Sequence, residues 1–265
     1  DIRETTSKLA FALNVKGLMN VQYAIKDDQV WVIEVNPRAS RTVPFVAKAI
    51  GKPIAKIATQ LMCGKKLKEI GFTEEIIPRH FSIKKPVFPF NKFPGADVLL
   101  GPEMRSTGEV MGIDATFGRA VAKAQAGASQ ALPREGKVFI SVKHTDKTRI
   151  PPIAAKLHEL GFELVATRGT AEAIKAAGTP VTIVNKIQEG RPNVLDLVIN
   201  DEVVLLINTP SGKDPRTDEA TMRKKCVMKG VPALTTISAA EAAVRAIANL
   251  KGHEEEVKPL QDYYS

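Results

Sequence analysis

From Lys137 onward, short apolar runs alternate with stretches of helical spacing, and few architectures accommodate that alternation. KVFISV, FELVAT, VTIVN, VVLLIN and PALTT read as strands, while 151–160, 170–177, 215–229 and 238–250 read as helices. Nearly continuous apolar strands are those buried on both faces, and parallel neighbours need a crossover helix between them. The expected fold class is therefore α/β, a doubly wound parallel sheet with helices on both faces. Ligands of such sheets bind at the carboxyl ends of the strands.

Upstream the pattern differs. Residues 1–14 have helical spacing; the opening, DIRETTSKLAF, lacks a signal-peptide pattern and reads as a helix in progress, which suggests a chain cut from something longer. GLMNVQYAI and VWVIEVN alternate apolar and polar residues around Lys26-Asp27-Asp28-Gln29, a hairpin signature. A helix is expected from about Pro44, a break at Gly51-Lys52-Pro53 and a second helix over IAKIATQLMCG. Residues 74–112 read as irregular strands and loops, and TFGRAVAKAQAGA (116–128) as a helix. SQALPREG reads as a linker, so the expected division is a first domain over 1–128, a linker over 129–136 and a second domain over 137–265.

Composition excludes several classes. A chain of 265 residues has room for two cores. It has no run of about 18 uncharged apolar residues, so a membrane span is not expected. The two cysteines, Cys63 and Cys226, lie far apart and read as free thiols of a reducing, cytoplasmic compartment. His80, His144, His158 and His253 lack zinc-ligand spacing. The net charge of +9 favours anionic partners, but the basic residues are scattered and aromatics few, which speaks against nucleic acid.

One candidate site lies on the hairpin. Alternation turns Glu34 and Asn36 to one face and Trp31, Ile33 and Val35 to the other. A turn at Asp27-Asp28-Gln29 sets Gln22 opposite Glu34 on the shared face. Three oxygen-bearing side chains then converge, a donor set suited to a hard cation such as Mg²⁺. Arg38 and Arg41 follow on the next loop, and guanidinium forks suit phosphate and carboxylate oxygens. The plain alternative is a solvated sheet face. The string IEVNPRASRTVPF resembles the metal-binding strand of ATP-grasp ligases, and GLMNVQYAI…VWVIEVNPRASRTVPFVAKAIG resembles the carbamate-phosphorylating half of the carbamoyl-phosphate synthase large subunit. KFPGADVLLGPEMRSTGEVMG (92–112) resembles the same family. The resemblance implies a partial ATP-grasp α+β domain, Mg²⁺ or Mn²⁺ held by Gln22, Glu34 and Asn36, and ATP and carbamate (from bicarbonate) as substrates, with Arg38 and Arg41 in the catalytic role. It also implies a glutaminase small subunit as partner, an oligomeric full enzyme and a place in pyrimidine and arginine biosynthesis. The nucleotide-covering lid of such enzymes would lie upstream, so this chain alone is expected to be inactive.

A second candidate site lies at the expected strand ends of the carboxyl-terminal half. Thr167-Arg168-Gly169-Thr170 opens a helix after FELVAT, Lys186 follows VTIVN, Asn208, Thr209 and Pro210-Ser211-Gly212 follow VVLLIN, and Lys147 precedes the helix at Pro151-Pro152. Helix amino termini and hydroxyls make phosphate seats, although Thr-Gly-Thr at a helix start also serves as an ordinary cap. This half resembles the methylglyoxal-synthase-like regulatory domain of the same subunit. The resemblance implies a nucleotide monophosphate effector held by Ser141, Lys147, Thr167, Thr170, Lys186, Asn208 and Thr209, with Thr235 at a second effector's site. Two departures matter: Lys85-Pro86 stands where ornithine-responsive members carry a glutamate, and Pro210 replaces a threonine. Nucleotide binding is thus expected and ornithine activation is not.

Two other classes stay open from the sequence, a binding module without catalysis and a lyase like methylglyoxal synthase. The lyase has an aspartate base in a Gly-Gly-Asp-Gln-Gln loop, whereas this chain has Asn185-Lys186-Ile187-Gln188-Glu189-Gly190, whose one carboxylate is Glu189. Cys226, among lysines, reads either as an activated thiol or as a passive helix residue. His144 reads as a phosphate contact or a bystander, and the tail HEEEVKPLQDYYS as a frayed end.

Overall fold

A computed structural model describes residues 1–88, 108–210, 218–252 and 256–264. The block 89–107, most of the KFPGADVLLGPEMRSTGEVMG resemblance, lies outside them, as do Ser211, Gly212 and His253. Two compact units emerge: residues 1–79 with the tail from Val257, and His80–Glu256.

The first unit starts with α1 (Ile2–Ala12), followed by β1 (Asn20–Lys26) and β2 (Gln29–Asn36). The two strands pair antiparallel across Asp27 and Asp28, whose φ of 50° and 60° give the left-handed two-residue turn that favours hairpins. Gln22 faces Glu34, but Tyr23 faces Val32, so Ile33 is the extra residue of a bulge. Next come α2 (Thr42–Ile50), α3 (Ile54–Met62) and α4 (Leu67–Ile70). Gly51 ends α2 at φ 66°, in the left-handed region open to glycine. The tail is not frayed: the Tyr264 hydroxyl donates to the Lys48 carbonyl, and its ring lies where a Cβ on Gly51 would stand. Among the described residues of this unit only Ala49 and Ala58 are buried, and Ile25, Trp31 and Ile33 are more than half exposed.

The second unit begins with the hairpin β3 (Phe81–Val87) and β4 (Gly108–Asp114), against which α5 (Phe117–Gly127) lies. Five parallel strands follow: β5 (Lys137–Ser141), β6 (Glu163–Ala166), β7 (Thr182–Ile183), β8 (Val203–Asn208) and β9 (Ala233–Leu234). Between and after them run α6 (Ile150–Glu159), α7 (Arg168–Ala176), α8 (Val194–Ile199), α9 (Asp218–Met228) and α10 (Ile237–Gly252). The spatial order β7-β6-β5-β8-β9 reverses direction between β5 and β8, the switch point at which open α/β sheets take ligands. Alternation sorts the core. Val138, Ile140, Leu205 and Ile207 join residues of α6, α7 and α10 on one face, while Phe139, Val165 and Leu206 join α8 and α9 on the other. The strands and helices expected from Lys137 onward fall on these elements among the described residues, residues 215–217 of the expected helix 215–229 lie outside them, and the short α8 is an addition.

The units do not divide at 129–136. The hairpin β3-β4 and α5 belong with the sheet because α5 packs tightly on α10: a Cβ on Gly118 would meet the Asn249 amide at 2.6 Å and the Arg245 carbonyl at 2.7 Å. Asp114, 3% exposed, ties β4 to α5 through Lys123 at 2.8 Å and Arg119 at 3.3 Å. Burial pushes the Asp114 carboxyl up, but the Lys123 hydrogen bond and charge, with Thr116 and Arg119, outweigh it and hold the group below its ordinary value. A Cβ on Gly112 would stand 2.0 Å from the Ala120 carbonyl oxygen and 2.5 Å from the Ala124 nitrogen, both backbone atoms of α5. Gly112→Ala is therefore expected to lower stability by about 1–3 kcal/mol, the usual cost of overpacking. Urea unfolding followed by circular dichroism checks this, and an unchanged midpoint would contradict the packing described.

Candidate functional site

On the hairpin the polar face assembles itself. Glu34 Oε1 accepts from Gln22 Nε2 across the strand pair and from Asn36 Nδ2 two residues on, both at 2.8 Å. Asn36 Oδ1 in turn accepts from Arg38 at 3.2 Å, and Arg38 also donates to the Ala39 carbonyl at 3.1 Å. Gln22, Glu34, Asn36 and Arg38 thus form one connected, largely exposed set. Arg41, also exposed, caps the start of α2 and has no bond to that set among the described residues.

The donor chemistry fits a hard divalent cation. Glu34 Oε2 has no partner among the described residues, and the Gln22 and Asn36 amides each carry an oxygen of the same donor class. Only one carboxylate is present, so a Mg²⁺ or Mn²⁺ ion there would draw its other ligands from water and phosphate oxygens.

The second site gathers at the switch point around Ser141, the last residue of β5. Its carbonyl accepts from the Thr209 amide and from Asn208 Nδ2, both at 3.1 Å. Its hydroxyl accepts from Thr167 at 3.2 Å. Backbone amides of the following loop are used as well: Val142 donates to Thr170 Oγ1 at 3.2 Å and Lys143 to Thr209 Oγ1 at 3.0 Å. Thr209 has then accepted a bond, and its own proton has no acceptor among the described residues. Three loops, after β5, β6 and β8, are pinned to one another in this way.

Beside this network lies the start of α7. The amides of Arg168 and Gly169 have no acceptor among the described residues, as expected for a first helical turn. The Lys147 ammonium rests on Gly169, 2.7 Å from where a Cβ would stand, and no carboxylate pairs with it among the described residues. A cation held against the positive end of a helix is unfavourable by itself and becomes favourable with an anion between them.

The residues expected from sequence separate into groups. Ser141, Lys147, Thr167, Thr170, Asn208 and Thr209 are brought together. Asn208 stands behind Ser141: it is 0% exposed, and its side-chain amide is already bonded to the Ser141 carbonyl. Lys186 precedes a single 3₁₀ turn beyond β7, and Thr235 follows β9; no hydrogen bond joins either to the network among the described residues. Lys85 lies half-buried on β3, and burial lowers its pKa. Glu189 accepts from the Lys186 amide at 2.9 Å, a capping role that ties up the carboxylate a lyase would use as base. Sequence reasoning missed Gly169 as clearance for Lys147, and it missed Arg223, a buried arginine of α9 at the Asn208 amide.

The comparisons agree with this layout. Residues 1–70 match the family model described as carbamoyl-phosphate synthase L chain, ATP binding domain, and residues 149–235 match the MGS-like domain. The carbamoyl phosphate synthase large chain of Rhodopirellula baltica is 53% identical over 100% of this chain, covering 25% of its own length. Those of Synechocystis sp. and Pseudomonas putida are 51% and 52% identical over 99% and 100% of the chain, and 24% of their own lengths. The chain thus carries an MGS-like α/β domain preceded by the end of an ATP-binding domain. It belongs to the carbamoyl phosphate synthase large-chain family, of whose curated members it spans about a quarter. No helix among the described residues is long and apolar enough to cross a membrane.

Cys226 is fully buried, and burial alone pushes its thiol up to about 12, so the lysines around it in sequence do not activate it. Cys63 is exposed. Iodoacetamide at pH 8 is expected to alkylate one of the two cysteines in the folded chain and both in denaturant, as counted by mass spectrometry. Rapid double labelling without denaturant would contradict the burial.

Proposed function

We propose that this chain works within a glutamine-dependent carbamoyl-phosphate synthase large subunit, supplying part of the site that phosphorylates carbamate and a nucleotide-sensing domain. The hydrogen-bonded set Gln22, Glu34, Asn36 and Arg38, in a chain similar throughout to such subunits, carries the first half. Gln22, Glu34 and Asn36 would hold Mg²⁺ or Mn²⁺, which when bound offsets phosphate charge. Arg38 and Arg41 orient carbamate so that its oxygen lies in line with the γ-phosphoryl group of ATP, and their guanidinium groups take up charge on the equatorial oxygens. In this reading a glutaminase small subunit is the partner, the full enzyme is oligomeric and cytoplasmic, and its product feeds pyrimidine and arginine biosynthesis. Glu34→Ala in a complete large subunit is expected to reduce carbamoyl phosphate synthesis at least about a hundredfold, the scale of losing one electrostatic stabiliser. Undiminished synthesis would remove the metal assignment.

For the second unit, the observation that carries the reading is the unpaired Lys147 ammonium against the free amides of Arg168 and Gly169. A phosphate monoester fits there: helix amides and Lys147 take its oxygens, while Thr209 and Ser141 offer hydroxyls. Thr167 and Thr170 shape the seat, Lys186 approaches from the β7 side, and Thr235 marks a separate effector position. Binding shifts the enzyme between states of different substrate affinity, a coupling free energy between two sites. Calorimetric titration with uridine monophosphate, with inosine monophosphate as competitor, tests this. Saturable binding is expected, weakened at least about tenfold by Lys147→Ala, the scale of one charged hydrogen bond. Lys186→Ala is expected to weaken it as well, and absence of binding by the parent chain would refute the reading.

A further inference from the structure

We propose that Arg223 is the positioning residue of the phosphate seat and acts through Asn208, an inference that rests on the nucleotide-sensing reading above. Arg223 lies on α9 and is 1% exposed. An uncompensated buried guanidinium costs several kcal/mol, so its place in the core requires specific partners. One is the Asn208 amide, whose Oδ1 accepts from the guanidinium at 2.7 Å, the length of a charge-assisted bond. Glu219, one turn earlier on α9, stands 3.9 Å away and supplies counter-charge at long range.

The bond to Oδ1 decides which way the amide faces. With its oxygen held by Arg223, Asn208 turns Nδ2 to the Ser141 carbonyl at 3.1 Å. An amide reversed by 180° would set its oxygen against the Ser141 carbonyl oxygen and its Nδ2 hydrogens against the guanidinium. The Ser141 carbonyl also receives the Thr209 amide, and the Ser141 hydroxyl receives Thr167. The tie therefore runs from the helix on one face of the sheet, through the end of β8, to the hydroxyls lining the seat. Arg223 and Asn208 are both buried and bonded to one another, so what they contribute to affinity comes from orienting Ser141 and Thr209.

The test uses the full 265-residue chain, titrated calorimetrically with uridine monophosphate and with inorganic phosphate. Arg223→Met is expected to weaken both about tenfold, the scale of a hydrogen bond to a charged group. Arg223→Lys, which keeps one donor, restores most of that. Asn208→Ala loses a similar factor, and the double variant Arg223→Met with Asn208→Ala loses no more than either single one. Amide hydrogen exchange without ligand gives an independent reading: the Thr209 and Lys143 amides exchange faster in Arg223→Met, while Ala171 in α7 keeps its protection. Where Arg223→Met does not fold, Asn208→Ala carries the same exchange measurement, with Arg223→Lys expected to stay close to the parent. A folded Arg223→Met that binds as the parent does, or losses that add fully in the double variant, overturns the positioning role alone. A parent chain that binds neither ligand refutes the nucleotide-sensing reading, and this inference falls with it.

Discussion

The pairing of β5 with β8 sets Ser141 opposite Asn208 at the point where the sheet changes winding direction, and most of the second unit's chemistry depends on that register. Strand ends are where ladder bonds stop and backbone groups need other partners. Here the Ser141 carbonyl takes a backbone amide from the next loop and a side-chain amide from the strand beside it. The loops can diverge toward a ligand because their roots are bound to one another. A shift of β8 by one residue would turn Asn208 to the other face and replace it with an aliphatic neighbour, removing the root of the site together with the core alternation.

The two candidate sites illustrate opposite ways of organising polar groups. On the hairpin the side chains are exposed and hold one another through Glu34, so their attraction for charge stays weak until water is excluded by whatever binds. At the switch point Thr167, Thr170, Asn208 and Thr209 are buried, while Ser141 and Lys147 are partly exposed. The first arrangement suits groups that must be reorganised around an ion and a phosphoryl group. The second suits a seat whose shape is fixed before its ligand arrives.

Much of this was legible in the sequence, and the limits have physical reasons. VVLLIN and KVFISV announced a doubly buried sheet because burial on both faces demands continuous apolar runs. Gln22 does meet Glu34, but through a two-residue turn and the bulge at Ile33, which alternation could not show, and not through the expected turn over Asp27-Asp28-Gln29. The expected clustering of Thr167, Thr170 and Thr209 needed only the rule that parallel strands end on one side, whereas Ser141 entered through the family resemblance. Arg223 was invisible because RKKC reads as a solvated basic face, and nothing local distinguishes the one arginine that turns inward from the lysines that do not. Gly169 was legible as a helix-start glycine but not as clearance, since that role is defined by Lys147, distant in sequence. The division at Arg79 was hidden for a similar reason: close approach of α5 to α10 depends on Gly118 and Asn249, and SQALPREG punctuates the chain without separating its cores.

The contact between Tyr264 and the end of α2 closes a loop of 216 residues, and the entire second unit lies inside that loop. In sequence order the second unit is an insertion into the first. Were the intervening chain unfolded, closing such a loop would cost about 5 kcal/mol of chain entropy, a heavy charge for one aromatic side chain on a glycine. Prior folding of the inserted sheet shortens the flexible path and lightens that cost. Synthesis makes α2 before Tyr264, so their contact can form only after the chain between them has been made. The contact between Tyr264 and α2 thus favours an order of events, sheet first and stitch afterwards, set by polymer statistics.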